Sequence, residues 1–452
     1  MSRKFKTADY EKTLDIEVRL REVLPPEHLA RFIVDVITML NLSAIYQQYS
    51  ALGAPPYAPE IVLGLLLYGY ITGVFSSRKI EKATYESIPM RFIAGGMHPD
   101  HDTIANFRKQ FLGELKELFV QVLMIAETMG YLELGNVSLD GSKIHADASK
   151  SKAVSYKRLL ELEAWLTKEV EELFALAEAA DGGQLPAEMN IADEIERRQQ
   201  RLAQLAEARQ VLEARAQARY EAEMEEYQAK RKEQEEKEAR TGRKPRGPKP
   251  QPPTPEPKDK DQYNFTDPES RIMKNATDDG FGQHFNAQVV VEHGSRLIVG
   301  QTVLDYPNDK QAALPTIDTV PAQVGTPQTA NLDNGYFSAT NIQGLETRGI
   351  DPLIATGRPA HCSGWRAFFE DQPCPLPVNA SPKDKMAFKL STQTGKALYR
   401  LRKSTVEPVI GIIKEVMGFR QFSLRGLLAA AGEWTLVCLA YNLKRLHTLC
   451  FA

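Results

Sequence analysis

Residues 136–149 read NVSLDGSKIHADAS. Polar and apolar side chains alternate through Val137, Leu139 and Ile144, and a glycine follows Asp140, which is the pattern of a strand that meets a turn. An aspartate before glycine is ordinarily a turn former, so Asp140 carries little weight alone. Two later stretches place a carboxylate in a comparable setting. TANLD, residues 329–333, reads as a short strand ending on Asp333, with Asn334 and Gly335 next and a helix starting near Ser338. YRLRKSTVEPVIGIIKEVMG, residues 399–418, reads as a helix that carries Glu407 among basic residues.

Outward from these stretches the chain stays mixed. Residues 285–291 (FNAQVVV) and 297–304 (LIVGQTVL) are predicted strands, joined by a hairpin at EHGSR. Residues 351–355 are another short strand, and a hydrophobic helix closes the chain from LLAAAGEW onward. Strands in the middle and helices on either side fit a mixed α/β core.

Residues 151–262 have a different character. Leu159, Leu162, Leu166, Val170 and Leu173 recur at intervals of three and four. After a break at DGGQLP, so do Ile191, Ile195, Leu202, Leu205 and Leu212. Two amphipathic helices in an antiparallel coiled-coil hairpin satisfy that spacing. The stretch RGPKPQPPTPEPKDKDQ that follows is predicted to be a flexible linker without helix or sheet. Strand-like sequence on both sides marks residues 151–262 as an insertion.

Residues 25–135 are predicted to be mostly helical. Pro59 opens one helix, Ser77 begins a second, and Asp102 or Thr103 caps a third whose apolar stripe is Ile104, Phe107, Phe111 and Leu115. Such a unit serves equally well as a helix-turn-helix-like DNA binder or as a packing and dimerisation domain.

The 452 residues are 42% hydrophobic and 25% charged with a net charge of −3, so no global basic signature marks a nucleic-acid binder. Cys362, Cys374, Cys438 and Cys450 have no CxxC spacing, which argues against a zinc site or a disulfide framework. The longest early apolar run, Ile61–Leu67, is too short to cross a bilayer. No membrane partner is expected, and the chain is placed in the cytoplasm.

Asp140, Asp333 and Glu407 would suit phosphodiester chemistry, which must neutralise the scissile phosphate and activate a water or a 3′-hydroxyl. Two divalent ions do both, and hard ions want carboxylate oxygens. Among rival acids, Asp147, Asp278 and Asp279 read as turn or surface positions, and Asp305 and Asp309 as caps of the next helix. His145, His284 and His361 lack metal-ligand spacing.

In their order along the chain, these stretches resemble the DDE transposases of bacterial insertion sequences, in the branch whose third carboxylate lies in a Tyr/Arg/Glu/Lys signature. Residues 65–111 resemble the N-terminal transposase domain of that family. VSLDGSKIHADASK (137–150) resembles its first-Asp strand, and RIMKNATDDGFGQHFNAQVVVE (271–292) the strand after it. NLDNGYFS (331–338) resembles the second-Asp motif, and RKSTVEPVIGIIKEVMGFRQFSLRG (402–426) the Glu region. Lys403 takes the signature's Arg position and Lys414 its Lys, while Tyr399 stands one residue further from Glu407 than the signature asks.

The resemblance implies a DNA transposase that cuts insertion-sequence ends and transfers strands into target DNA. It implies Asp140, Asp333 and Glu407 as a catalytic, metal-binding triad holding two Mg²⁺ ions, for which Mn²⁺ can substitute. It also implies an RNase H-like core. The expected domains are a helical DNA-binding or dimerisation domain at 1–135, the first strand region of the core at 136–150, the coiled-coil hairpin and linker at 151–262, and the rest of the core at 263–452. Lys414, Lys403, Arg402, Arg271 and Lys274 are the expected DNA contacts. A homodimer is expected because two DNA ends must be paired, and a nucleoid location when bound to DNA; no small-molecule cofactor is. The alternatives are an inactive or domesticated DNA-binding relative, a coiled-coil interaction protein, and a metal-dependent phosphohydrolase or RNase.

Overall fold

A computed structural model describes residues 19–49, 55–180, 190–241, 251–275, 280–357 and 380–451. The chain divides into two compact units, residues 1–144 with 286–452, and residues 145–285.

The first unit begins with helices: α1 (Leu20–Val23), α2 (Leu29–Met39), α3 (Ser43–Tyr46), α4 (Pro59–Thr72), α5 (Ser77–Glu86), α6 (Ile88–Ile93), α7 (His101–Gln110) and α8 (Glu114–Thr128). Pro59 does open α4, and the helix is apolar nearly all round because nearly all of it is buried, from Val62 to Ile71. Gly73 ends it at φ 81°, a left-handed cap that favours glycine. The cap of α7 is Asp100, not Asp102 or Thr103. Asp100 is the last extended residue, so its carboxylate reaches the Thr103 amide at 2.8 Å.

The sheet of this unit has the order β6-β5-β1-β7-β8. Its strands are β1 (Asn136–His145), β5 (Phe281–Glu292), β6 (Ile298–Leu304), β7 (Thr329–Leu332) and β8 (Asp351–Ile354); the first residues of β5 and the last of β1 belong to the second unit. β1, β7 and β8 run parallel, and β6 is antiparallel to β5. Further helices follow: α11 (Ala313–Ile317), α12 (Ala339–Thr347) capped by Ser338, α13 (Pro382–Ser391), α14 (Gln393–Gly411) and α15 (Leu427–Cys450).

α15 is the spine of this unit and is buried almost continuously from Ala430 to Leu446. Its polar side chains are each given partners, as burial demands. Asn442 bonds both backbone groups of Ile298 (2.9 and 2.8 Å), and Trp434 Nε1 donates to Gln288 O at 3.1 Å. Glu433 accepts from Tyr70 Oη (2.8 Å) and from the Ser423 and Leu424 amides (2.8 and 3.0 Å), with Arg108 Nη1 at 3.9 Å. This network ties α4 and α7 to α15, so the N-terminal helices share one core with the sheet. Cys438 is a buried free thiol of the same helix; Cys362, Cys374 and His361 lie outside the described residues, as do Asp278 and Asp279. Among the described residues no single helix is long and apolar enough to cross a membrane.

The second unit is built on α9 (Tyr156–Ala180) and α10 (Ile191–Thr241). They run antiparallel: Arg198 pairs with Glu169, and further along α10 Arg209 pairs with Glu163. The leucines spaced at three and four make the seam, with Leu159, Leu166, Leu205 and Leu212 buried around Ala208. A two-stranded antiparallel sheet, β2 (Ala153–Ser155) with β3 (Gln262–Asn264), closes the base and buries Val154 and Tyr263 in the same core. Three-residue strands carry no periodicity, so the sequence does not announce them. Residues 251–261 form no helix or strand, as expected of that linker, yet Arg219 of α10 bonds Asp261 at 2.9 Å. β4 (Arg271–Lys274) pairs with residues 281–284 of β5 in this unit.

Candidate active site

Parallel pairing sets the two aspartates side by side. In the β1–β7 register Asn136 faces Thr329 and Ser138 faces Asn331, a constant difference of 193. Carried two residues on, the register puts Asp140 level with Asp333, on the same face of the sheet. Both lie where the β1–β7 pairing ends, a position where α/β sheets commonly place ligand groups. Asp333 is fixed by its own turn: its Oδ1 accepts the Gly335 amide at 2.7 Å. Asp140 Oδ1 accepts the Gly141 amide at 2.9 Å.

Glu407 comes from α14. It is half-exposed at 49% of its side chain, and it joins the aspartates through Arg402. The Arg402 guanidinium is nearly buried and bridges two carboxylates, with Nη1 3.0 Å from Asp140 Oδ2 and Nη2 3.4 Å from Glu407 Oε1. Burial pushes the Asp140 carboxyl up to about 6; Arg402 and the Gly141 amide oppose that shift, and Asp333 adds to it. Asp140 is thus a carboxylate still short of positive charge despite its arginine. Tyr399 lies within reach of Arg402, and burial raises its phenol.

The donor set fits a hard divalent ion by chemistry, since it is all carboxylate oxygen and its most buried member favours a cation. It is not a closed cage. Among the described residues no three His, Cys, Asp or Glu side chains already gather at metal-holding distance. Arg402 occupies the space between Asp140 and Glu407 instead.

The basic residues fall into two groups. Lys403 is exposed on α14 and Lys274 is exposed on β4 of the second unit. Lys414 is half-buried with its Nζ 3.3 Å from Lys143 O, and burial lowers its ammonium below the usual lysine range. Of the other expected DNA contacts, Arg402 faces the carboxylates, and Arg271 is partly exposed with its Nη1 donating to the carbonyls of Pro268 (3.1 Å) and Glu269 (2.9 Å).

Sequence reasoning did not find the layer beneath the aspartates. Tyr336, fully buried, donates to Gln288 Oε1 at 2.5 Å. Gln288 Nε2 donates to Asn286 Oδ1 (2.9 Å) and Asp309 Oδ1 (3.1 Å). Asp309 therefore caps no helix. The following short turn is capped by Asn308, and Asp309 holds two amides in place. Only Asn286 and Gln288, at alternate positions of the otherwise apolar stretch 285–291, hinted at this.

Residues 18–110 match the family described as a transposase domain (DUF772), and residues 253–443 match the transposase DDE domain. No curated protein and no solved structure matches the chain.

Proposed function

Because the chain belongs to the DDE transposases of insertion sequences, metal-dependent enzymes that cut and join DNA, we propose that Asp140, Asp333 and Glu407 are its catalytic triad. The observation that carries this is the β1–β7 register, which brings two aspartates distant in sequence to one edge, facing a helix that supplies the glutamate. The mixed sheet, with Asp140 on β1 and Asp333 directly after the adjacent parallel strand β7, supports an RNase H-like core. The same reading makes 1–135 a DNA-binding or dimerisation domain, 136–150 and 263–452 the catalytic core, and 151–262 an inserted hairpin.

Two Mg²⁺ ions, or Mn²⁺ in their place, would be held by Asp140, Asp333 and Glu407 and would supply charge neutralisation at the phosphate and an activated nucleophile. The chain's own contribution is placement. Asp140 and Asp333 are fixed by backbone amides, and Glu407 approaches from a separate element and is open to solvent. Arg402 balances Asp140 and Glu407 before substrate arrives. Lys403, Lys414, Arg271 and Lys274 are the proposed phosphate contacts, a set that makes affinity fall as salt rises. Water attack frees a 3′-hydroxyl at the element's end, and that hydroxyl then attacks target DNA in line. Pairing two ends calls for a homodimer.

The test is Mg²⁺-dependent cleavage of a duplex spanning an end of the element that encodes the chain, with Glu407→Gln as comparison. Wild type should cut to leave a 3′-hydroxyl, and Glu407→Gln should bind the duplex equally and not cut. Normal cutting by the variant removes Glu407 from the triad. A wild type that binds and never cuts makes the chain an inactive relative.

A further inference from the structure

Two residues before each aspartate, on the same strand face, sits a buried polar side chain: Ser138 before Asp140 and Asn331 before Asp333, both 0% exposed. A third polar group meets them. His293, in the β5–β6 turn, has Nε2 2.8 Å from Ser138 Oγ and 3.4 Å from Asn331 Nδ2. Asn331 Nδ2 also donates to Leu398 O at 2.8 Å. That carbonyl belongs to α14, the helix of Tyr399, Arg402 and Glu407. The bond fixes the amide orientation, because a flipped Asn331 would turn oxygen towards oxygen. His293 Nε2 then accepts, so the ring proton sits on Nδ1.

A valine at 331 would fill a central strand at no desolvation cost, whereas a buried amide is costly unless its bonds are made. What Asn331 gains is direction. It links the second-aspartate strand to the glutamate helix by one bond, and through His293 it reaches the first-aspartate strand. We infer that Asn331 is a positioning residue which, with Ser138 and His293, sets α14 against β1 and β7 so that Glu407 can share a metal with Asp140 and Asp333. The inference rests on the triad assignment above.

The test uses full-length Asn331→Leu, the milder Ser138→Ala, and Asn442→Leu as a control. Asn442 is an equally buried amide that bonds Ile298 away from the triad. Mn²⁺ binding is followed by electron paramagnetic resonance, alongside the Mg²⁺ concentration for half-maximal cleavage and the Tm. Outer-shell partners of metal ligands are typically worth about 10–100-fold in affinity. Asn331→Leu should weaken Mn²⁺ binding and raise the Mg²⁺ requirement by about tenfold, with cleavage returning at high Mg²⁺. Ser138→Ala should shift both in the same direction by less, and Asn442→Leu should lower Tm and move neither. The inference is overturned if Asn331→Leu and Ser138→Ala keep wild-type metal responses, or if Asn442→Leu shifts them equally. If Asn331→Leu does not fold, Ser138→Ala against Asn442→Leu decides alone. Wild type that binds no Mn²⁺, or binding that survives Asp140→Asn, overturns the triad assignment and this inference with it.

Discussion

The guanidinium of Arg402 lies 3.0 Å from the carboxylate of Asp140, and its other nitrogen reaches Glu407 at 3.4 Å. Its side chain is only 11% exposed, so the pair is poorly screened. Removing one partner of a fully buried ion pair costs roughly 3–5 kcal/mol; with Glu407 half open to water, Arg402→Leu should cost about 2 kcal/mol in metal-free protein. A divalent ion between the same carboxylates would replace the missing charge, and binding to the folded state alone raises stability. The Tm gain on adding Mg²⁺ should therefore be larger in Arg402→Leu than in wild type. Equal gains would show that Arg402 and the metal do not serve the same carboxylates.

Asp140 gives a pH signature with a definite sign. Its carboxyl is raised from 3.8 to about 6, chiefly by burial. A raised carboxyl is penalised when ionised, so in metal-free protein the penalty is absent below pH 3.8, builds through the interval and is complete above about 6. The stability difference between Asp140→Asn and wild type should move in the variant's favour across that window. A bound divalent ion needs the ionised form and displaces the proton. Mn²⁺ affinity should thus rise with pH by up to about tenfold per unit for this one group, then level off near the carboxyl's own value. Titrations at half-unit steps from below that value to neutrality check this. A flat profile would mean that Asp140 is not a ligand.

These signals were unevenly legible in the sequence. Asp140, Asp333 and Glu407 could be singled out because the first lies in a strand pattern, the second ends one and the third sits in a basic helix, and because the motifs keep a recognisable order, although β1 runs on through Gly141 to His145 instead of turning there. The hairpin seam was legible because Leu159, Leu166, Leu205 and Leu212 repeat a helical spacing. Arg402 was visible only as one of several basic residues before Glu407. At about 100° per residue, Arg400, Arg402 and Lys403 point in three directions, and nothing in the chain tells which one faces the sheet. Nothing in the sequence singles out Asn331 beside Asp333. Its partners His293 and Leu398 are remote in sequence, so its role exists only once β1, β7 and α14 are assembled. Asp309 was misread for the same reason: its amide partners lie on β5.

Gly141 tests how tightly the layer beneath the aspartates is built. A Cβ added there would stand 2.0 Å from Gln288 Nε2 and 2.6 Å from its Cδ. A flexible side chain could ordinarily step aside. Gln288 cannot do so cheaply, because it is fully buried and tied to Tyr336, Asn286 and Asp309. Overpacking a well-filled interior costs about 1–3 kcal/mol, so Gly141→Ala should lose about 2 kcal/mol and, being next to Asp140, weaken Mn²⁺ binding as well. Truncating the obstacle should relieve it: in a Gln288→Ala background, which leaves room for the methyl, Gly141→Ala should cost less than about 0.5 kcal/mol. The double-mutant cycle would then show a coupling of at least about 1 kcal/mol, read by chemical denaturation of all four proteins. Strict additivity would mean that the strand at Gly141 moves away from Gln288 instead, and that the amides beneath Asp140 do not fix its position.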